Sequence, residues 1–503
     1  MLNVRVHKML RRIRVVLAAV FFLGLTLLLL DVSGVVHSWT GWMAKAQLLP
    51  ALLAGNFLIV ALLLVLTLIF GRLYCSTICP LGVMQDLVAR LNRRMNKRKK
   101  YSYSPALTWL RYAFLGLFVV LMFLGLGGIA ALIAPYSTFG RITTHLLQPV
   151  WALCNNGVAA LAESAGSYAV SETEIIFYGW LPLGIAVFTV VLICALAWRG
   201  GRTWCNTVCP VGTVLGLLSR FSFYKIRFDT DNCTKCGACS RACKASCIDV
   251  KLQAVDASRC VTCGNCLTKC KSDALHYIAP LAAKASSKQS PEEPADKGRR
   301  SFLITSGLLA TAALAQEGKK LDGGLAAIED KKEPSRQTPL TPPGSLSARH
   351  MQTHCTTCQL CVSECPNHVL RPSTKLDTLL QPTMSYEHGF CRPECVRCSE
   401  VCPTDAIRPL TRETKSSTQI GHAVWMKKNC LPARDGVTCG NCERHCPAGA
   451  ITMIPLDPAD EASPKVPAVN TAVCIGCGAC EYVCPARPYP AIYVEGHEVH
   501  HEK

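Results

Sequence analysis

The pattern of apolar and polar positions divides the chain into two unlike halves. Four long apolar runs come first, at residues 15–30 (continuing past Asp31 to Val36), 48–70, 113–133 and 175–198. At about 1.5 Å per residue the second run makes a helix of about 34 Å. That crosses a hydrocarbon core of about 30 Å with some tilt. Buried helices of a soluble fold are the rival explanation, and the scarcity of charge across four such runs counts against it. Basic residues set an orientation. Arg5, Lys8, Arg11, Arg12 and Arg14 precede the first run. Arg90, Arg93, Arg94, Lys97, Arg98, Lys99 and Lys100 follow the second, and Arg199, Arg202, Arg220, Lys225 and Arg227 follow the fourth. The loops at 31–47 and 135–173 carry only Lys45 and Arg141 as basic residues. The pattern predicts an α-helical membrane domain of four transmembrane helices in a bacterial inner membrane, with the N-terminus inside.

The second and fourth runs end in copies of one motif. Gly71-Arg72-Leu73-Tyr74-Cys75, with Cys79-Pro80-Leu81-Gly82, matches Gly201-Arg202-Thr203-Trp204-Cys205, with Cys209-Pro210-Val211-Gly212. Leu87 and Arg90 recur as Leu217 and Arg220 at the same offset. The repeat unit is two helices and a Cys-x-x-x-Cys-Pro turn. Side by side, two copies would bring Cys75, Cys79, Cys205 and Cys209 together as a shared metal site. A redox dithiol or a structural turn is the alternative.

After residue 222 the pattern changes to short alternating segments around cysteine motifs. Cys233, Cys236, Cys239 and Cys243 are followed by Cys260, Cys263, Cys266 and Cys270. In such runs three cysteines grip one [4Fe–4S] cluster and the fourth serves the neighbouring one. Cys233, Cys236 and Cys239 therefore go with Cys270, and Cys260, Cys263 and Cys266 with Cys243, leaving Cys247 as a spare thiol. Four more motifs end in Cys-Pro: Cys355, Cys358, Cys361 and Cys365; Cys391, Cys395, Cys398 and Cys402; Cys430, Cys439, Cys442 and Cys446; and Cys474, Cys477, Cys480 and Cys484. The sequence leaves open which of these four pair. Zinc ribbons are the alternative, but they use paired hooks rather than triplets. The expectation is α+β ferredoxin-like polyferredoxin domains holding six [4Fe–4S] clusters, with a seventh open at the Cys-x-x-x-Cys-Pro site. Cys154 and Cys194 have no part in a motif. No segment here is long enough to bury a large core, so the clusters must hold this half together.

Composition sharpens the picture. Half the residues are hydrophobic and only 17% are charged, which is low for a soluble chain. The 31 cysteines of this 503-residue chain do not fit a disulfide scaffold, which is short and secreted. The net charge of +19 is mostly a topology signal, and nucleic-acid binding is its rival. No nucleotide-binding glycine loop, hydrolase triad or flavin motif is present.

Between the halves, residues 281–298 read as a linker. Arg299 and Arg300 then precede an apolar stretch that resembles a twin-arginine export signal, over 299–316. A second tether covers 317–348. The layout is thus a membrane domain at 1–222, a two-cluster domain at 223–280, and a four-cluster domain at 349–503 that export would place in the periplasm. Without export every cluster lies inside.

The first 280 residues resemble the membrane ferredoxin of quinol dehydrogenases, the NapH type, through the four runs, the two Arg-x-aromatic-Cys-x-x-x-Cys-Pro repeats and the two-cluster block. Residues from about 299 resemble the exported four-cluster partner of the NapG or MauM type, through the twin arginine and the four Cys-Pro motifs. The chain looks like a fusion of the two. The resemblance implies oxidation of a membrane quinol, menaquinol above all, with electrons leaving to a periplasmic reductase such as nitrate reductase. A polar site near the outer face would then be needed, and Asp31, His37, Arg141 and His145 are its candidates. His145 is the proton acceptor and Arg141 its companion, since a free imidazole titrates near 6.5. Two other roles compete: a maturation reductase supplying electrons for metal insertion, and a passive conduit with no quinone site.

Overall fold

The computed structural model describes residues 2–31, 34–96, 101–279, 331–460 and 462–502. The twin-arginine segment, the 281–298 linker and part of the 317–348 tether lie outside the described residues.

The N-terminal half is helical. In chain order it runs α1 (Leu2–Leu30), α2 (Val35–Lys45), α3 (Leu48–Leu53), α4 (Phe57–Phe70), α5 (Tyr74–Thr77), α6 (Pro80–Met95), α7 (Thr108–Phe123), α8 (Gly127–Ala130), α9 (Pro135–Ile142), a π turn over Thr143–Leu147, α10 (Gln148–Ser164), α11 (Trp180–Gly200), α12 (Thr203–Thr207) and α13 (Pro210–Ser219). Among the described residues, Met9–Leu30 and Trp180–Gly200 are long and apolar enough to cross a membrane. The other two runs are interrupted. The 48–70 run breaks at Ala54–Asn56, where Gly55 takes a left-handed φ of 66° and Asn56 caps α4 through the Ile59 amide. The 113–133 run starts earlier, at Thr108, and breaks after Phe123. Much of the apolar surface of these helices faces outward: Leu58, Trp109, Phe123 and Phe188 are all at least two-thirds exposed.

Among the described residues the strands form five antiparallel two-stranded sheets. β1 (Lys225–Phe228) pairs with β4 (Leu275–Ile278), and β2 (Ile248–Asp249) with β3 (Ala254–Val255). Further on, β5 (Leu370–Pro372) pairs with β6 (Pro382–Met384), β7 (Thr418–Trp425) with β10 (Ile492–Glu502), and β8 (Ile451–Pro455) with β9 (Lys465–Val469). Each sheet is too small to stand alone.

These two blocks sit at opposite ends of the helical bundle. The first, around residues 225–278, packs on one end. Thr262 and Tyr277 donate to the Phe70 carbonyl, and Arg72 and Arg111 donate to that of Ser258. The second block, from residue 331, packs on the other end. Arg141 donates to Thr357, and the backbone of Gly140 lies so close to the Cys358 carbonyl that a Cβ would clash. Helix α1 spans the gap: Arg14 lines a cavity with Lys244 and Asn265, and Leu30 lines one with Pro366 and Asn367. The rise between Arg14 and Leu30 is about 24 Å.

Candidate metal–thiolate sites

In the first block, Cys239 lies within electrostatic reach of Cys233 and Cys270, and Cys266 of Cys263, Cys260 and Cys243. The fourth cysteines are thus exchanged between the two motifs. Cys247 is buried, 3.5 Å from Cys243, and fits the second set as a fifth thiol.

In the second block the motifs pair in sequence order. Cys361 neighbours Cys355, Cys358 and Cys402, while Cys398 neighbours Cys391, Cys395 and Cys365. Cys446, Cys474, Cys477 and Cys480 line one small cavity, and Cys430, Cys439, Cys442 and Cys484 line another. Again each fourth cysteine crosses to its partner motif.

The local backbone suits thiolates. Lys235, Thr262 and Thr357, each just before the second cysteine of its motif, hold positive φ near 50°. This bends the chain so that amides turn toward sulfur. The Ala274, Ala450 and Ala491 amides donate to the Cys270, Cys446 and Cys484 sulfurs at 3.2–3.3 Å. Such bonds are among the levers that tune an iron–sulfur cluster. Among the described residues no group of three or more His, Cys, Asp or Glu side chains closes around a single ion. Grouped in fours, neighbouring cysteine thiols are instead the donor type of [4Fe–4S] clusters.

The two Cys-x-x-x-Cys-Pro turns converge inside the bundle. Cys209 interacts with Cys205, Cys79 and Cys75, and all four are buried. Two buried arginines cross between the repeats. Arg72 donates to the Cys205 carbonyl and approaches the Cys75 sulfur at 3.9 Å. Arg202 donates to the Cys75 carbonyl and approaches the Cys205 sulfur at 4.0 Å. The repeated glycines make this crossing fit: a Cβ on Gly82 would strike Arg202 and the Cys75 carbonyl, and one on Gly212 would strike Arg72 and the Cys205 carbonyl. Gln85 adds a donor to the Cys205 sulfur at 3.2 Å. Arg202 is in turn gripped by Asp86 at 2.7 Å through Nε and Nη2, and Lys244 of the first block meets the same carboxylate. Burial pushes the Asp86 carboxyl up, but Arg202 and Lys244 outweigh it and hold it below the usual range.

The thiol sets are linked through shared neighbours. Cys260 feels Arg72, which touches the convergent site. Cys79 and Cys209 share one core with Tyr136 and Phe139, and Tyr136 borders Cys358, Cys402 and Cys361. The Cys391 amide donates to the Cys477 carbonyl at 2.9 Å.

Arg141 and His145 do not line an open cavity. The two terminal nitrogens of Arg141 donate to the Ala131 and Leu132 carbonyls and the Thr138 and Thr357 hydroxyls, and the Thr357 bond ties the second block to the bundle, while Nε is buried without a partner. His145 is buried edge-on against Tyr178 at 5.8 Å. Burial pulls its pKa down to about 4. Asp31 caps the turn before α2 by accepting from the Gly34, Val36 and His37 amides. His500 bonds Thr341, and His497 bonds His422.

Some polar residues at these sites carry no sequence signal. Buried Lys415 donates to the Arg392 and Cys395 carbonyls, beside the Cys391 set. Glu364 is buried with both oxygens unpartnered, and burial, with Asp31 nearby, pushes its pKa up to about 8.

Comparison with known proteins agrees with this chemistry. A 4Fe-4S binding domain model matches residues 52–98 and 180–228, the two Cys-x-x-x-Cys-Pro repeats. 4Fe-4S dicluster domain models match 437–487 and 256–369. The latter range joins the Cys260 and Cys355 motifs, which lie in different blocks. The methylamine utilization ferredoxin-type protein MauM of Methylobacillus flagellatus is 30% identical over 166 residues, 32% of this chain and 70% of that protein. The ferredoxin-type protein NapF of Escherichia coli K12 is 30% identical over 31% of this chain and 87% of its own length. NapG of the same strain is 32% identical over 34% of this chain and 79% of its own length. No solved structure matches the chain.

Proposed function

Because the chain belongs to the ferredoxin-type 4Fe-4S proteins related to MauM, NapF and NapG, we propose that it is a membrane-embedded iron–sulfur electron carrier that oxidises a quinol. Its electrons leave through the second block to a redox partner on the side opposite the N-terminus. The observation that carries this reading is the seating of two cysteine-rich blocks at opposite ends of an apolar bundle, with four buried thiols between them.

Each of the six ferredoxin sets would hold a [4Fe–4S] cluster, and Cys75, Cys79, Cys205 and Cys209 a seventh. Bound clusters supply one-electron redox chemistry at potentials set by charge, hydrogen bonds and burial. The protein's part is positioning. Arg72 and Arg202 offset the negative charge of the buried thiolates, and Lys415 does so at the Cys391 set. Arg141, Gly140 and Thr357 hold the second block against the bundle. The outward apolar residues of α4, α7 and α11 face lipid. The partner is a periplasmic reductase, as the NapH and NapG resemblance suggests. A conduit without a quinol site is the second reading, favoured by the links between the thiol sets.

The test is anaerobic addition of a short-tailed naphthoquinol to the full chain, cluster-loaded and in nanodiscs. Bleaching of the clusters' visible absorbance is expected. Full bleaching by dithionite with none by quinol refutes the quinol reading in favour of the conduit.

A further inference from the structure

A cleft of about 1000 Å³ opens where the second block meets the bundle. One wall is apolar: Leu27 and Leu30 of α1, Val36 and Trp151. Leu27 is half exposed and continues the outward apolar face of α1. The opposite wall is the chain on either side of two thiols: Pro366 and Asn367 follow Cys365, and Gly389 and Phe390 precede Cys391. A polar side carries His368, Glu172 and Glu174. An annex of about 20 Å³ shares Trp151, Glu174 and His368 with the cleft, enough for one water. Three side chains that border these cavities hold buried polar atoms without partners: Thr144 Oγ1, Gln148 Oε1 and His368 Nδ1. Unpartnered buried polar atoms are costly, and here they sit where a bridging water and a ligand hydroxyl would satisfy them. An apolar wall, convergent polar groups and nearby cluster-ligating cysteines are the features of a site for an amphipathic redox ligand.

We infer that this cleft binds the head group of a quinol, its tail along Leu27 and Leu30 of α1; the inference rests on the quinol reading above. Oxidation there converts the quinol to its quinone with loss of two electrons and two protons. The electrons pass singly to [4Fe–4S] clusters, entering at the set formed by Cys391, Cys395, Cys398 and Cys365. Both protons leave to the water at the mouth, where Glu172 and Glu174 are exposed. The cleft lies beside the buried Arg141–His145 layer: Tyr178, which meets His145 edge-on, closes the annex.

The test uses the full cluster-loaded chain in nanodiscs, with a naphthoquinol as donor and a fluorescent hydroxyquinoline N-oxide as a quinone-site probe. Trp151→Ala opens the apolar wall, and Gln148→Leu removes the annex acceptor. Both should weaken probe binding and raise the KM for quinol about tenfold, with iron content and the dithionite-reduced spectrum unchanged. Unchanged KM and probe affinity in both variants, with wild type still reduced by quinol, would put the quinol site elsewhere and overturn the inference. Wild type that quinol never reduces, yet that binds the probe in a way Trp151→Ala weakens, would sink the functional reading while keeping the cleft as a quinone-binding site. Loss of both in wild type would sink both.

Discussion

Asp86→Asn is the most informative single change in the helical half. The native carboxylate takes two bonds of 2.7 Å from Arg202 and meets Lys244. The Arg202 side chain is fully buried and that of Asp86 is 14% exposed, so solvent screens little of the interaction. Asparagine keeps the shape but leaves two cations buried without a counter-charge. Breaking a buried pair from one side costs about 3–5 kcal/mol, against about 0–1 for a surface pair. Asp86 belongs to α6 and Lys244 to the first block, so the loss should appear where they dock. Hydrogen exchange across residues 225–278 and denaturant unfolding of the solubilised chain would both read it. The sign with pH is also fixed. The folded Asp86 pKa is depressed, so its contribution is complete above the unfolded value of about 3.9 and drains away as pH falls through and below it. Asp86→Asn should flatten that acid limb. A loss under about 1 kcal/mol with an unchanged acid limb would refute the buried-network reasoning.

Other expectations follow from the same geometry. Cys75→Ser with Cys209→Ser should lower bound iron by about four atoms, one cube, leaving the ferredoxin-set signals in the EPR spectrum intact; unchanged iron would mean the convergent site holds no cluster. Cys243→Ala should keep its cluster because Cys247 stands 3.5 Å away, whereas Cys243→Ala with Cys247→Ala should lose it; iron analysis of the two variants decides. Arg141→Met should destabilise docking of the second block by about 3 kcal/mol, since charge-assisted hydrogen bonds contribute about 1.5–3 kcal/mol each. Protease release of that block would report it, and normal docking with lost quinol turnover would assign Arg141 to the quinol site instead.

Much of the cysteine chemistry was legible because ligand spacing is local. Three cysteines within seven residues wrap one centre whatever surrounds them, and the exchange of Cys243 and Cys270 follows from the same rule. The order of pairing among the later motifs was not legible, because Cys402 and Cys446 reach their partners only through tertiary folding. The repeat marked Arg72, Arg202, Gly82 and Gly212 as a set, but their crossed contacts needed both copies in space. Hydropathy read 48–70 as one span because Ala54 and Gly55 turn without breaking the apolar run. Arg141 stood out as a lone charge in an apolar setting. That pattern suits a quinol site and a buried docking bond equally, and the Thr357 contact that shows the docking bond lies far away in sequence. Lys415 and Glu364 belong to no pattern, since only the fold brings them to thiols.

The reading as an electron carrier rests on the two cysteine-rich blocks being joined through the buried thiols of the bundle, so that electrons can pass from one block to the other. The direct measurement uses the cluster-loaded chain in sealed liposomes filled with ferricyanide, with membrane-impermeant dithionite added outside. The account predicts bleaching of the trapped ferricyanide, abolished by Cys75→Ser with Cys209→Ser. No bleaching in intact vesicles, from protein that passes electrons freely to ferricyanide in detergent, would contradict it.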